Sequence, residues 1–384
     1  MADLELLAAF LEERHRVLAA ELDSFVVREI APLPHAATDA AAREQAPALL
    51  ALLGKAGFAA LALPEGGDSR PDLRACCLVR EALAAASPLA DSIFALQCLG
   101  AQPILLGGSP SLRQRFLPEV VAGRRMAAFA MTEPEAGSDV ASLETTAVRD
   151  GDEWVIDGHK WLITNAGAAD FYCVFAKTSA AAGSRGISCF LVEADRPGCE
   201  FVNAQVLSEP HPLGELRFTH CRVPAENLLG KEGEGFKLGM MTLDRLRPTV
   251  AAAACGFAAR ALAEAIAHAK SRRLFGKRLA DQPILQQKIA QMATELDAAR
   301  LLTWRAAWAA DRGQARITRE AATAKSFATE AAQRIVDSAV QILGGRGCLA
   351  EHPVDRLYRA VRALRIYEGA TEVQQLVIAR QLLD

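Results

Sequence analysis

Ten residues near the end of the chain, Arg365-Ile-Tyr-Glu-Gly-Ala-Thr-Glu-Val-Gln374, set a carboxylate between two helices. Upstream, Val354, Leu357, Tyr358, Val361 and Leu364 recur at helical spacing behind Pro353, whose missing N–H has no partner to lose in a first helical turn. Downstream, Thr371-Glu-Val-Gln374 has the form of a capping box, the threonine accepting from the backbone of a new helix and the glutamine reaching back. Glu368 and Gly369 are thereby pinned in a short joint. A carboxylate there, beside Tyr367 and Gly369, can be aimed at a ligand; as a surface-loop glutamate it would face solvent, and both readings fit these ten residues.

Two further stretches carry polar groups suited to a ligand. Ala130-Met-Thr-Glu-Pro-Glu-Ala-Gly-Ser-Asp139 sets the hydroxyls of Thr132 and Ser138 around bare backbone at Gly137. That combination can donate several hydrogen bonds to a polar ring edge and a phosphate, although an ordinary polar β-turn would use the same residues. Asp157-Gly-His-Lys-Trp-Leu-Ile-Thr-Asn165 follows it. Other chemistries lack their signatures. There is no G-x-x-x-x-G-K-[ST] loop, no G-x-G-x-x-G after a strand, no H-E-x-x-H and no G-x-S-x-G. The seven histidines have no ligand spacing and read mostly as surface or loop residues, which sets metal catalysis aside.

The elements that must position these residues change character along the chain. Residues 2 to about 122 read as helices, with Ser109-Pro110 opening an amphipathic run from Leu112 to Val121 and a turn-rich loop at Leu63–Pro71. From about residue 124, strand-like runs follow at short intervals: 145–148, 153–156, 161–164, 171–177, 187–193 and 216–223. Asp150-Gly151 and Asp157-Gly158 are hairpin signals, because glycine accepts positive φ, so the region reads as an antiparallel β domain. Helices resume after Gly233-Glu-Gly-Phe236: one to about Arg273 with an expected kink at Pro248, one from Pro283 to Arg312, one from Thr318 to Leu343, and two short ones. The expectation is an α+β fold in three parts: an N-terminal helical domain (1–122), a middle antiparallel β domain (123–228) and a C-terminal domain resembling a four-helix bundle (229–384).

Composition narrows the class. Apolar residues make up 51% without an uninterrupted run of the roughly 18 needed for a membrane span, so a soluble protein is expected. A net charge of -3 offers no basic field to nucleic acid. Nine cysteines without C-x-x-C spacing suit small buried hydrophobes in a reducing compartment, and the acidic N-terminus lacks a secretory plan, so the cytoplasm is the expected location.

Tyr367-Glu-Gly-Ala-Thr-x-x-Gln374, Met131-Thr-Glu-Pro-x-Ala-Gly-Ser-Asp139 and Gly158-x-Lys-x-x-Ile-Thr-Asn165 together resemble the signatures of acyl-CoA dehydrogenases. Three ordered, widely separated matches are far more specific than one. The likeness extends over the whole chain through Asp244-Arg-Leu-Arg-Pro248, Arg272-Arg-Leu-Phe-Gly276 and Gln341-Ile-Leu-Gly-Gly-Arg-Gly347. It implies noncovalent FAD between the β domain and the C-terminal bundle, in a homotetramer built as a dimer of dimers, with an acyl-CoA substrate and an electron-transfer flavoprotein as acceptor. Glu368 would be the catalytic base. Thr132 would bond the flavin ring, Ser138 its pyrophosphate and Thr164 the N5 edge, with Phe129, Met131, Gly137, Leu162, Ala370 and Glu372 beside the cofactor. Arg272, Phe275, Gln282, Gln341, Gly344 and Gly345 would hold the adenosine half from the neighbouring subunit. Asp244, Arg247, Tyr367, Gly369 and Ser138 would face the substrate.

The same resemblance implies the reaction: Glu368 removes the α-proton of an acyl thioester while the β-hydrogen leaves as hydride to the flavin. Entry of ligand should raise the carboxylate's pKa, and the N-terminus of the last helix should oppose the rise. Some relatives place the base on the long kinked helix, where this chain has Leu246. Leu162 stands where many relatives have an aromatic residue, Pro283 where a glutamine is usual, Ala370 where threonine is usual, and His211-Pro-Leu-Gly214 replaces a hydroxyl-bearing loop beside the CoA face. An acyl-CoA oxidase and a noncatalytic flavin- or CoA-binding scaffold are the alternatives.

Overall fold

The structure is a computed structural model and describes residues 2–64, 70–314 and 316–383, so residues 65–69 of the expected Leu63–Pro71 loop lie outside the described residues. The chain divides into two compact units. One comprises Met1–Pro34, Asp72–Asp91 and Asp244–Asp384; the other comprises His35–Pro71 and Ser92–Leu243.

The helices are α1 (Glu13–Phe25), α2 (Asp39–Lys55), α3 (Leu73–Ala86), α4 (Pro88–Gly107), α5 (Pro110–Val121), α6 (Gly235–Ser271), α7 (Pro283–Asp311), α8 (Thr318–Leu343), α9 (Pro353–Leu364) and α10 (Thr371–Leu383). Their starts are legible as chemistry. Thr38, Asp72 and Ser109 each accept a backbone N–H three residues on, which relieves donors that a helix start leaves without partners. In the first unit α6, α7 and α8 share a core in which small side chains recur, among them Ala251, Ala254, Ala258, Ala324, Ala328 and Ala332. Alanine lets helix axes approach closely, so adding methylenes there would overpack the seam. α6 runs from Gly235 to Ser271 without interruption at Pro248.

In the second unit the strands are β1 (Ala127–Ala130), β2 (Thr146–Asp150), β3 (Glu153–Thr164), β4 (Phe171–Lys177), β5 (Ile187–Glu193), β6 (Cys199–Ala204), β7 (Leu213–Pro224) and β8 (Leu228–Leu229). They form one sheet in the order β6-β7-β3-β2-β4-β5-β8, with β1 beside β4. A small ribbon, β9 (Arg273–Leu274) with β10 (Lys277–Arg278), lies in the first unit.

The sheet is antiparallel except where β1 runs parallel to β4 and where β2 meets β4 at Thr146 and Lys177. Asp150-Gly151 turns the expected hairpin, with Gly151 at φ 61. Asp157-Gly158 does not turn one: β3 continues through it, and only its register against β7 slips between Ile156 and Gly158. The glycine is needed for a different reason, since a Cβ at position 158 would overlap Thr145. β1 and β6 carry weak strand signals, the first being Ala-Ala-Phe-Ala and the second almost wholly exposed without alternation.

One expectation about a side chain changes. His15, read with the surface histidines, has 0% exposure and bonds Asp72 and the Glu12 backbone. Among the described residues α4 and α6 are long and apolar enough by composition to cross a membrane, but 78% and 61% of their most apolar windows are buried in protein. All nine cysteines are free thiols, seven of them buried.

Candidate active site

The joint between α9 and α10 holds Glu368 in a left-handed backbone at φ 53, followed by Gly369 at φ 100. A non-glycine residue in that region costs about 1 kcal/mol, so neighbouring groups must fix it. From α6, Arg247 Nε donates to the Glu368 carbonyl at 2.9 Å. From α8, Lys325 Nζ donates to the Gly369 carbonyl at 2.8 Å. The Gln374 amide donates to both carbonyls at 3.5 and 3.2 Å. Gly369 is confined to glycine by its φ and because a Cβ would strike that amide.

The expected capping box does not form. Thr371 Oγ1 donates to Glu330 Oε1 at 2.7 Å, and Arg365 Nε reaches the same oxygen at 2.7 Å. Gln374 is drawn to the carbonyls of the joint, which point away from any helical donor and need partners more than the start of α10 does.

Glu368 Oε2 is buried and has no hydrogen-bond partner. Burial pushes its carboxyl above the ordinary carboxylate range, while Arg80, Arg247 and Lys325 pull it back. Three cations thus oppose the rise, in the same direction as the opposition expected of the helix terminus. Arg80, from α3, is held by Asp91 through two bonds of 2.7 Å and reaches Thr249 at 3.3 Å. Burial pushes the Tyr367 phenol well up as well. Asp244 accepts from Arg247 at 2.5 Å and from Thr318 at 2.8 Å. The joint thus presents a carboxylate that is ready to take a proton, its backbone fixed from three helices.

In the second unit the end of β1 lies against β3. Trp161 N donates to the Thr132 carbonyl at 2.9 Å, and Lys160 Nζ donates to the Met131 carbonyl at 3.1 Å and to Glu133 Oε1 at 2.7 Å. Lys160 is completely buried and burial brings its pKa down to about 8, with Glu133 holding it up. Phe129, Met131, Thr132, Leu162 and Thr164 thus belong to one corner, with Gly137 and Ser138 just beyond the turn closed by Glu133 and Ala136. Leu162 has φ 55 and 40% exposure, beside an exposed Trp161, and its N–H is taken by Gln205. Space is open where a Cβ of Gly137 would sit. Half-buried and exposed hydroxyls, bare backbone and an apolar ledge suit a flat polar ring carrying phosphate, so the residues present fit FAD.

Most of the remaining expected cofactor residues lie on exposed surface of the first unit, with Gln282 half-buried. Arg272 precedes the β9–β10 ribbon, Phe275 sits at its tip at φ 52 and 90% exposure, and Gln282 begins α7. Gln341, Gly344 and Gly345 are exposed at the end of α8. No hydrogen bond or ion pair among the described residues joins these to the Glu368 joint, whereas Ala370 and Glu372 adjoin it in sequence. Leu246 is buried and apolar and offers no base. Sequence reasoning missed Arg80, Asp91, Lys325 and the Lys160–Glu133 pair. The available signal was a cation inside an apolar helical stripe, as in Ala-Ala-Thr-Ala-Lys325-Ser-Phe-Ala.

The chain is helical, then sheet, then helical, with a buried carboxylate oxygen before its last helix, and comparison with known proteins specifies its class as an oxidoreductase. Three family models match: acyl-CoA dehydrogenase N-terminal domain at residues 12–124, middle domain at 128–221 and C-terminal domain at 233–383. A probable acyl-CoA dehydrogenase, fadE25, of Mycobacterium leprae (strain TN) is 38% identical over 377 residues, 97% of this chain and 96% of the relative. The solved butyryl-CoA dehydrogenase of Megasphaera elsdenii superposes with TM-score 0.88 at 34% identity, covering 97% of this chain and 99% of that one. A chain from a structure described as the electron transferring flavoprotein of Acidaminococcus fermentans gives TM-score 0.89 at 35% identity, covering 97% and 98%. The chain belongs to the acyl-CoA dehydrogenase family.

Proposed function

We propose that the protein is an FAD-dependent dehydrogenase that converts an acyl-CoA thioester to its trans-2-enoyl-CoA, with Glu368 as the α-proton base. The observation that carries this is the buried, unpartnered Glu368 Oε2 on a strained joint held by Arg247, Lys325 and Gln374. FAD, when bound, supplies the hydride acceptor for the β-hydrogen, so the two electrons of the C–H bond leave by that route. The proton from the α-carbon goes to Glu368. Its backbone N–H has no acceptor among the described residues and is free to donate to the thioester oxygen as negative charge develops there, a device worth ~3 kcal/mol per donor. Thr132, Ser138, Leu162 and Thr164 hold the flavin half of the cofactor; Arg272, Phe275, Gln282, Gln341, Gly344 and Gly345 serve the adenosine half of a neighbouring subunit. Asp244, Arg247 and Tyr367 form the substrate side.

The same reading takes the domain boundaries at about residues 122 and 228 and makes the assembly a cytoplasmic homotetramer that passes electrons to an electron-transfer flavoprotein. The likeness to the Acidaminococcus fermentans structure supports the acceptor, and nine free thiols suit a reducing compartment. The test is anaerobic mixing of the yellow protein with a panel of acyl-CoA thioesters. At least one should bleach the visible band, and an electron-transfer flavoprotein should restore it faster than air does. A protein that no thioester bleaches contradicts the proposal.

A further inference from the structure

Lys325 stands in the buried alanine face of α8, between Ala321 and Ala328, with 0% exposure. An ammonium removed from water costs several kcal/mol unless other groups compensate, so its partners show what the position is for. Lys160, the other fully buried lysine among the described residues, is neutralised directly by Glu133 at 2.7 Å. Lys325 instead spends its hydrogen bond on the Gly369 carbonyl at 2.8 Å. The charge acting on it most strongly is Glu368, followed by Arg247, Glu330 and Glu372.

We propose that Lys325 is a positioning residue for Glu368. Its ammonium holds the Gly369 carbonyl so that the joint keeps its left-handed turn, and it sets a third positive charge, with those of Arg80 and Arg247, before the carboxylate that takes the proton. The inference rests on the reading of Glu368 as base and adds a residue that touches neither substrate nor reacting atoms. The charged and titratable groups around the joint are Arg80 of α3, Asp91 of α4, Asp244 and Arg247 of α6, Lys325 and Glu330 of α8, Arg365 and Tyr367 after α9, and Glu372 of α10. Arg247 and Gln374 still hold the Glu368 carbonyl when Lys325 is replaced, so the substitution removes charge more than it removes shape.

Lys325→Met keeps the length of the side chain and deletes the ammonium, and Lys325→Gln retains a neutral donor. Loss of the cation should raise the Glu368 pKa further, by roughly one unit. Two readouts follow. In protein labelled with δ-¹³C glutamate, the Glu368 resonance, identified by its absence in Glu368→Gln, should titrate at higher pH in both variants, with or without turnover. The acid limb of flavin reduction by acyl-CoA should move the same way, so that the rate lost on the acid side returns as pH rises while KM stays near wild type. A Lys325→Met or Lys325→Gln protein that is folded and yellow yet keeps the wild-type Glu368 titration overturns the proposal, as does an activity loss equal at every pH. If Glu368→Gln is itself still bleached, the base assignment fails, and the resonance shift still tests what Lys325 does to Glu368.

Discussion

Glu368 combines two unfavourable features, a left-handed backbone and a carboxylate oxygen buried without a partner. Because its folded pKa lies above the unfolded value, the folded state binds more protons, and the stability cost develops as pH rises through the usual carboxylate range and is complete above the folded pKa. Glu368→Gln removes that cost, so its Tm at neutral pH should equal or exceed that of the parent; a clear drop would show that the charge braces the fold. His211 works in the opposite direction. Burial holds it down to about 4, so the unfolded chain binds the extra proton first, and stability is lost as pH falls from about 6.5 to 4. The loss should reach about 3 kcal/mol. Urea titrations of parent and His211→Gln across that window should differ in slope, and identical slopes would refute the assignment. Glu368, Arg247 and Thr132 stand out in the sequence as candidates because each sits in a motif. Arg80 and Lys325 were not, because a cation among alanines becomes recognisable as buried only when the facing helix is known.

Most helices and strands could be read from caps, prolines and alternation, since these act within a few residues. Ser109, Pro110, Pro283 and Pro353 mark helix starts, and β4 and β5 match their expected bounds residue for residue. The errors arose where tertiary contact overrode the local signal. Gly158 looks like a hairpin glycine but is a packing glycine against Thr145, and Thr371 looks like a helix cap but bonds Glu330. β3 also carries the Lys160–Glu133 pair, which ties the strand to the Met131–Glu133 corner where Glu133 accepts from the Thr145 backbone at 3.1 Å. Breaking one side of such a buried pair should cost ~3–5 kcal/mol. Lys160→Met should therefore lower the unfolding midpoint and weaken flavin retention together, measured by denaturant titration and by flavin released on dilution. Unchanged stability would mean that the pair is dispensable to the sheet.

For the molecule as a whole, Phe275 at the tip of its ribbon and the end of α8 are exposed, and the proposed function gives them the task of completing the cofactor site of a second copy. If so, the cofactor and the oligomer stabilise one another by mass action, and light scattering of flavin-loaded protein should give a tetramer. A flavin-loaded monomer would contradict it. The central claim concerns the carboxylate at the last helical joint, and it is tested most directly by the anaerobic bleaching rate of Glu368→Gln with an acyl-CoA that reduces the parent. The amide keeps the shape of the side chain and the backbone N–H but is no base. The variant should stay yellow, still bind acyl-CoA, and be reduced slower by at least ~10²–10⁴; bleaching at a rate near that of the parent would contradict the account.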